Sequence, residues 1–377
     1  MSEKYDVIIV GAGIIGASCA YECAQSGLKV LILDKSPGCA GTTGACMGHI
    51  VVLDDSAAQL ALTGYSQRLW HDISHRLPPA AEYVNYGTIW AAADDEEMAE
   101  VSRKHKVYTE LGLQAEILDT KALAKQEPNL STSLAGGLLV KSDAVIYPPA
   151  ASYFMLKESQ AHGAVFKGLS EVRQILPEGL VVLSDGTEIA ADAIVNACGC
   201  DSPQFSDNAP VKKRKGHLMI TERAPGFINH QVIELGYLKS AHSATGDSVA
   251  FNVQPRKTNQ LLLGSSREND SETPEINREI LSRMIKRAYD YMPALKEIQV
   301  TRIWTGFRPA TPDKLPLIGP DGENSKIYLA AGHEGLGITC STGTGKLIRD
   351  MIMDCTPQIN PKPYLPSRFN RGNTEDA

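Results

Sequence analysis

The chain has 377 residues, 43% hydrophobic and 21% charged, with a formal net charge of −7, so it has the length for two structural domains and the balance of an ordinary globular protein. Nucleic acid is not an expected partner, because the one basic run, Lys212-Lys213-Arg214-Lys215, reads as a solvated loop, with anion steering or partner docking as the alternative. No apolar run reaches the roughly 18 residues of a membrane span, and the eight cysteines, single or as Cys198-Gly199-Cys200, lack the CxxC pairs of a zinc or iron–sulfur site.

Met1 to Asp6 lead straight into the first strand, so no secretory leader is expected and a reduced, cytoplasmic compartment is the simplest reading. The apolar run Val7-Ile8-Ile9-Val10 has the character of a buried parallel strand and runs into Gly11-Ala12-Gly13-Ile14-Ile15-Gly16. A helix over Ile14 to Gln25, ended by Gly27, and a second run, Val30-Leu31-Ile32-Leu33, closing on Asp34, complete a strand, glycine turn, helix, strand and acid. In that order Gly11 permits the tight turn, Gly13 lets backbone approach a pyrophosphate, and Gly16 lets the helix lie close on the sheet. The helix N-terminus offers free N–H groups and the positive end of its dipole to phosphates. Asp34 is placed to accept from both ribose hydroxyls, so the ligand is an adenine dinucleotide, FAD or NAD.

After Asp34 the chain lacks the further strand–helix repeat of an NAD-binding domain and enters Ser36 to His49, small and hydroxyl residues that can wrap a large planar ligand. That interruption, with the strands that return later, favours FAD. Ala61, Leu62, Tyr65, Leu69 and Ile73 give an amphipathic helix, and Asp94-Asp95-Glu96-Glu97 a solvated helix start. Strand-like text from Gly136 to Val145, a helix from the Tyr147-Pro148-Pro149 break to His162-Gly163, short strands at Val165-Phe166, Glu171 to Leu176 and Leu180 to Leu183, and a buried strand through Ala193 to Gly199 return the chain to the nucleotide unit. Lys215 to Arg308 alternates as an antiparallel sheet, broken by one helix between Pro274 and Tyr291 with Ile276, Ile280, Ile285 and Ala288 inward. Lys326 to Gly332 is again a parallel-type strand, which His333-Glu334-Gly335-Leu336-Gly337 joins to a helix ending near Met353; the Pro-rich tail after Cys355 is a surface wrap.

Five ordered motifs carry a resemblance over nearly the whole chain: Gly11 to Gly16 with Asp34; Thr42 to His49; Ile194-Val195-Asn196-Ala197-Cys198-Gly199; Gly306-Phe307-Arg308-Pro309 with Thr311-Pro312-Asp313; and Gly332-His333 through Gly345. Together they resemble the FAD-dependent D-amino-acid oxidase superfamily, which includes glycine oxidase and sarcosine oxidase subunits. Within it Gly216 to Thr221, Glu234 to His242, Phe251 to Arg256 and Leu261 to Glu268 look most like the flavoprotein subunit of bacterial D-hydroxyproline dehydrogenases.

The resemblance implies an α/β fold: a Rossmann-like FAD-binding domain with a parallel sheet, discontinuous over 1–75, 150–205 and 317–365. An antiparallel-sheet substrate domain would span 76–149 and 206–316, with 366–377 a tail. It implies an FAD-dependent dehydrogenase that oxidises the C–N bond of a cyclic D-amino acid, cis-4-hydroxy-D-proline, to its imine by hydride transfer to flavin N5. The rivals are a glycine, sarcosine or D-amino-acid oxidase using oxygen, and a flavin-carrying electron-transfer subunit of a hetero-oligomer. The implied partners are a small amino or imino acid and further subunits, among them an iron–sulfur subunit.

For the site, the resemblance places Arg308 as the carboxylate-binding arginine, whose guanidinium matches a carboxylate with two parallel hydrogen bonds. His49, His333 and Glu334 align with flavin-lining loops and are the candidates to take or tolerate the amine's proton. Asn252 falls where family members often put an aromatic lid, and could instead bind a ring hydroxyl. Beside Gly11, Gly13, Ile14, Ile15, Gly16 and Asp34, the implied cofactor contacts are Lys35, Thr42, Thr43, Gly48, Val172, Ala197 and Gly199. Gly335, Gly337, Ile338 and Thr339, at the N-terminus of the last helix, would face the flavin pyrimidine, where N–H groups stabilise the charge of reduced flavin. No metal site is expected.

Overall fold

The computed structural model describes residues 4–236, 246–269, 271–322 and 325–369. Met1 to Glu3, the stretch Tyr237 to His242 of one family motif, and the tail beyond Phe369 lie outside the described residues.

The apolar run read as the first strand is β1 (Tyr5–Val10), with Val7, Ile8 and Ile9 wholly buried, each burial contributing about 1.5–3 kcal/mol. It lies between β2 (Val30–Leu33) and β11 (Glu188–Asn196), both parallel to it. β8 (Val165–Lys167) continues beyond β2, and β18 (Ile327–Ala331) with antiparallel β17 (Leu317–Pro320) beyond β11. A hairpin of β9 (Val172–Leu176) and β10 (Leu180–Leu183) pairs antiparallel with β11. One face is covered by α1 (Ile14–Gln25), which packs against α6 (Pro148–Ala161) and the C-terminal α8 (Gly337–Ile352). α1 ends at Gly27, whose φ of +86° suits a residue without Cβ.

The second sheet runs β16 (Val300–Ala310), β12 (Lys212–Arg223), β15 (Gln260–Arg267), β14 (Ser248–Pro255), β13 (Gln231–Glu234), β4 (Thr88–Ala92), β6 (Gly136–Val140), β5 (Ala115–Asp119). All its pairs are antiparallel except β13 with β4. α7 (Arg278–Tyr291) covers one face and buries Ile280, Met284, Ala288 and Tyr291. A two-stranded piece, β3 (His49–Ile50) with β7 (Ala144–Val145), lies apart from both sheets.

Several local expectations change. The Ser36–His49 stretch is not all loop: Gly41–Ala45 forms the short helix α2. Basic residues Lys212 to Lys215 are not a solvated loop but the start of β12, where Lys215 is buried against Glu268 at 2.9 Å and Arg214 meets Glu334 at 2.6 Å. Both carboxylates are remote in sequence, which is why the run reads as exposed. In the acidic start of α4 (Asp95–Glu110), Asp94 caps the N–H of Glu97, while Glu97 is buried and accepts from the N–H of Ala93 at 2.7 Å. The buried face of α3 (Ala57–Ser74) passes through Leu62, Tyr65, Ser66 and Trp70 and leaves Ala61 outside. Ile276 precedes α7 and is exposed, because Asn277 caps that helix.

Candidate active site

A cleft with a cavity volume of about 360 Å³ follows the carboxyl ends of β1, β2, β11 and β18 and continues beneath the second sheet, the position in which open α/β sheets take ligands. At its nucleotide end Gly11 has φ +103°, and a Cβ there would lie 2.5 Å from the carbonyl oxygen of Ala197. A Cβ on Gly13 would meet Thr43 Oγ1 at 3.1 Å, and that hydroxyl accepts from the N–H of Ile14 at 3.0 Å. Gly13, the N-cap residue of α1, has no side chain to cap the helix, and the first turn carries no acid. A glycine turn at such a helix N-terminus, where Thr43 occupies the N–H of Ile14, fits a pyrophosphate.

Asp34 ends β2 with its carboxylate already engaged. Oδ2 accepts from the N–H of Ala12 at 2.6 Å, and Oδ1 from the N–H and hydroxyl of Ser36, both at 2.7 Å. A carboxylate offers about four lone-pair sites, so roughly one remains for a ribose hydroxyl rather than the two expected. Lys35 also lines the cleft, but its Nζ is tied to Asp201 at 2.7 Å.

At the other end, β12 and β16 pair so that Arg214 faces Arg308 and Gly216 faces Gly306. The guanidinium of Arg308 lies over Gly216: a Cβ there would be 2.5 Å from Nη1 and 2.8 Å from Nη2. Nη1 donates to the carbonyl of Ser266 at 2.8 Å, which fixes the plane of the group. Met47 and Leu218, both buried, pack together as an apolar wall of the same cleft.

Glu334 precedes α8 with φ +47°, and its Oε1 accepts from Arg214 Nη1 at 2.6 Å and Arg267 Nε at 3.3 Å. Burial works to raise its pKa, but Arg267, Arg214 and Arg308 outweigh it and hold the carboxyl below the usual range. A carboxylate kept ionised by arginines is a poor proton acceptor, so its evident work is to hold those cations in place. His333 is buried, its Nε2 is hydrogen-bonded to Thr344 Oγ1 at 2.9 Å, and burial lowers its pKa to about 3. His49 is likewise lowered by burial, to about 4, against an opposing hydrogen bond from Gln231. Its Nδ1 meets Gln231 Oε1 and its Nε2 meets Asn252 Nδ2 at 3.1 Å, so both ring nitrogens are engaged within the protein. Burial thus favours the neutral form of both histidines, and the arginines favour the ionised form of Glu334.

The cleft wall brings together Gly11, Gly13, Ile14, Ile15, Asp34 and Lys35 with Thr42, Thr43, Gly48 and His49; then Val172, Ala197 and Gly199; then Asn252 and Arg308; and finally His333 through Gly335, with Gly337 and Ile338. Gly16 and Thr339 are not on it. A Cβ on Gly16 would lie 1.8 Å from the carbonyl oxygen of Gly11, so that glycine serves the contact of α1 with the turn. Thr339 is fully buried; its hydroxyl donates to the carbonyl of His49 at 2.9 Å and accepts from the N–H of Val51 at 3.2 Å, tying β3 to α8. Sequence reading missed Gly216, Met47, Leu218 and Gln231. The polar residue in each buried run Thr88-Ile89-Trp90, Gln231-Val232-Ile233 and Phe251-Asn252-Val253 was the signal that could have drawn attention to the last.

A parallel sheet with a glycine turn, roofed by an antiparallel sheet that sets an arginine into the same cleft, defines a two-sheet flavoprotein oxidoreductase. The chain belongs to the DAO family of FAD dependent oxidoreductases, which it matches over residues 6–351, and its cofactor is FAD. It is 25% identical to hydrogen cyanide synthase subunit HcnC of Pseudomonas aeruginosa, over 98% of this chain and 97% of that one. It is also 25% identical to the glycine oxidase of Geobacillus kaustophilus, over 93% and 94% respectively. L-proline dehydrogenase from P. horikoshii shares the fold with a TM-score of 0.89 at 23% identity, covering 99% of each chain. The antiparallel roof and the parallel nucleotide sheet are thus the family's architecture.

Proposed function

We propose that the protein is an amino-acid dehydrogenase that oxidises the C–N bond of a cyclic D-amino acid, cis-4-hydroxy-D-proline, to its imine. The carrying observation is the guanidinium of Arg308, held over Gly216 and against the Ser266 carbonyl on the wall of the cofactor cleft. There it can clamp an α-carboxylate through two parallel bonds and so fix rotation as well as position. Support for a cyclic substrate comes from the likeness of β12, β14 and β15 to hydroxyproline dehydrogenases and from the proline dehydrogenase fold match.

In this reading the unit formed by 1–75, 150–205 and 317–365 holds FAD, and 76–149 with 206–316 holds the substrate. The glycine turn, the α1 N-terminus and Asp34 hold the pyrophosphate and ribose; the N-terminus of α8 faces the pyrimidine end. FAD, when bound, would supply the two-electron acceptor for the hydride that leaves the carbon bearing nitrogen. The chain's own groups orient that carbon: Arg308 takes the carboxylate, while Met47 and Leu218 exclude water from one side. A neighbouring electron-accepting subunit is part of the proposal, since the HcnC relative is itself named a subunit.

The test is anaerobic mixing of the purified yellow protein with D- and L-proline, the 4-hydroxyprolines, glycine, sarcosine and D-alanine, followed by flavin bleaching. Fastest reduction by cis-4-hydroxy-D-proline is expected, with turnover supported by an artificial dye and not by oxygen. Reduction by glycine or sarcosine alone, reoxidised by oxygen, would establish the oxidase; no bleaching by any amino acid refutes the enzyme reading.

A further inference from the structure

Behind the cleft lies a row of polar residues that the roles above do not use. Asp143 sits in the turn between β6 and β7, Thr88 begins β4, Gln231 begins β13, His49 opens β3 and Asn252 lies within β14. Asp143, Thr88 and Gln231 are fully buried, so each must find a partner inside the protein. Thr88 and Gln231 are register partners across β4 and β13, and Gln231 Nε2 donates to Thr88 Oγ1 at 2.5 Å. Nearby, Asp143 Oδ1 accepts from Gln67 Nε2 at 2.8 Å and from the N–H of Val52 at 3.4 Å, while its Oδ2 has no partner among the described residues. At the other end Gln231 Oε1 meets His49 Nδ1, and His49 Nε2 meets Asn252 Nδ2. Asn252 is 6% exposed and lines the cleft, and its Oδ1 has no partner among the described residues.

The direction of each link follows from the first. An amide nitrogen only donates, so Thr88 Oγ1 accepts from the amide N–H of Gln231. The amide oxygen then faces His49 and takes the Nδ1 proton, which leaves a lone pair on Nε2. That lone pair takes an N–H of Asn252, and Asn252 is left with an oxygen for the cleft.

We propose that Thr88 is a positioning residue for the substrate amine: through Gln231 and His49 it holds Asn252 so that Oδ1 accepts an N–H of the bound amino acid. The inference rests on the amino-acid reading above and adds the group that recognises nitrogen. A neutral amide oxygen orients an N–H without the charge that would stabilise an ammonium, and hydride loss requires the uncharged amine. His49 becomes a link in the chain, with its tautomer fixed.

The test uses the holoenzyme at about pH 8.5 and two unreactive acids of nearly one shape: pyrrole-2-carboxylate, with a ring N–H, and furan-2-carboxylate, whose ring oxygen only accepts. Binding is read from perturbation of the flavin absorption. The wild type should prefer the pyrrole acid by about tenfold or more. Thr88→Val cuts the chain with little change of shape. It should bring the preference near unity with the furan acid's Kd changed by less than about twofold, while Thr88→Ser retains the preference. Parallel weakening of both acids in Thr88→Val overturns the inference. So does equal binding by the wild type, the outcome if Oδ1 served a ring hydroxyl; the amino-acid reading then still stands. If neither acid perturbs the flavin and no amino acid bleaches it, that reading falls and this inference with it.

Discussion

Gly216→Ala is expected to separate substrate binding from stability. The three atoms nearest a Cβ at this position all belong to the Arg308 guanidinium, at 2.5, 2.8 and 2.9 Å. Ordinary contact needs about 3.5 Å, so the group must retreat by roughly 1 Å. Gly216 has no left-handed backbone to strain, and the fold should accept alanine with a change within about 1 kcal/mol. A shift of about 1 Å in a positioning group costs up to ~100-fold, or about 2.7 kcal/mol of transition-state binding. Steady-state kinetics with the best amino acid should therefore show kcat/KM lower by about tenfold to a hundredfold, with KM carrying most of the change. Tm and flavin content should match the wild type. Arg308→Leu sets the floor, with about 3–5 kcal/mol lost once the carboxylate has no partner. Wild-type KM in Gly216→Ala would refute the assignment of the clamp to Arg308, and loss of flavin would mean that Gly216 serves the cofactor instead.

Three further outcomes test other parts of the site. Asp34→Ala removes both the proposed ribose acceptor and the acceptor of the Ala12 N–H, and should weaken FAD retention about tenfold or more in flavin release on ultrafiltration; stoichiometric flavin in the filtered protein would exclude that role. Glu334→Gln keeps the shape but removes the charge that Arg214 and Arg267 share, so stability should fall by about 2 kcal/mol while kcat stays within about threefold. A hundredfold loss of kcat would instead make Glu334 the base. Asp143 has a folded pKa of about 7, above its ordinary 3.8, so the folded state holds an extra proton between those values. Its contribution to stability is full below about pH 4 and is lost as pH rises to 7, by ~4 kcal/mol at most. The unfolding free energy of Asp143→Asn relative to wild type should climb over that window; a pH-independent difference would contradict it.

The nucleotide unit was legible because its signals are local. Strand β1, the glycine turn and α1 follow from apolar runs and glycines adjacent in the chain, and the helix runs from Ile14 to Gln25 as expected. What escaped depends on pairing across long separations. Lys215 and Arg214 look solvated until β12 brings them to Glu268 and Glu334. Gly216 looks like any strand glycine until β16 lays Arg308 over it. Thr88 and Gln231 become one chain only because β4 and β13 pair in parallel within an otherwise antiparallel sheet. The resemblance pointed to Arg308, His49 and Asn252 as cleft residues, but which atoms of a side chain remain available is a property of its neighbours, and those came from other strands.

The packing of α1 against α8 also bears on when the protein can become functional during synthesis. Cys19, Cys23 and Ala20 of α1 are fully buried, and part of that cover comes from the helix at Gly337–Ile352, roughly 300 residues later. At ~5–20 residues per second, about 15 seconds to a minute separates the two on the ribosome. For that interval the apolar flank of α1 lacks that part of its cover, and exposed apolar surface of this kind is prone to aggregate. A stop codon near residue 330 would thus remove no part of the glycine turn and yet leave α1 without that cover.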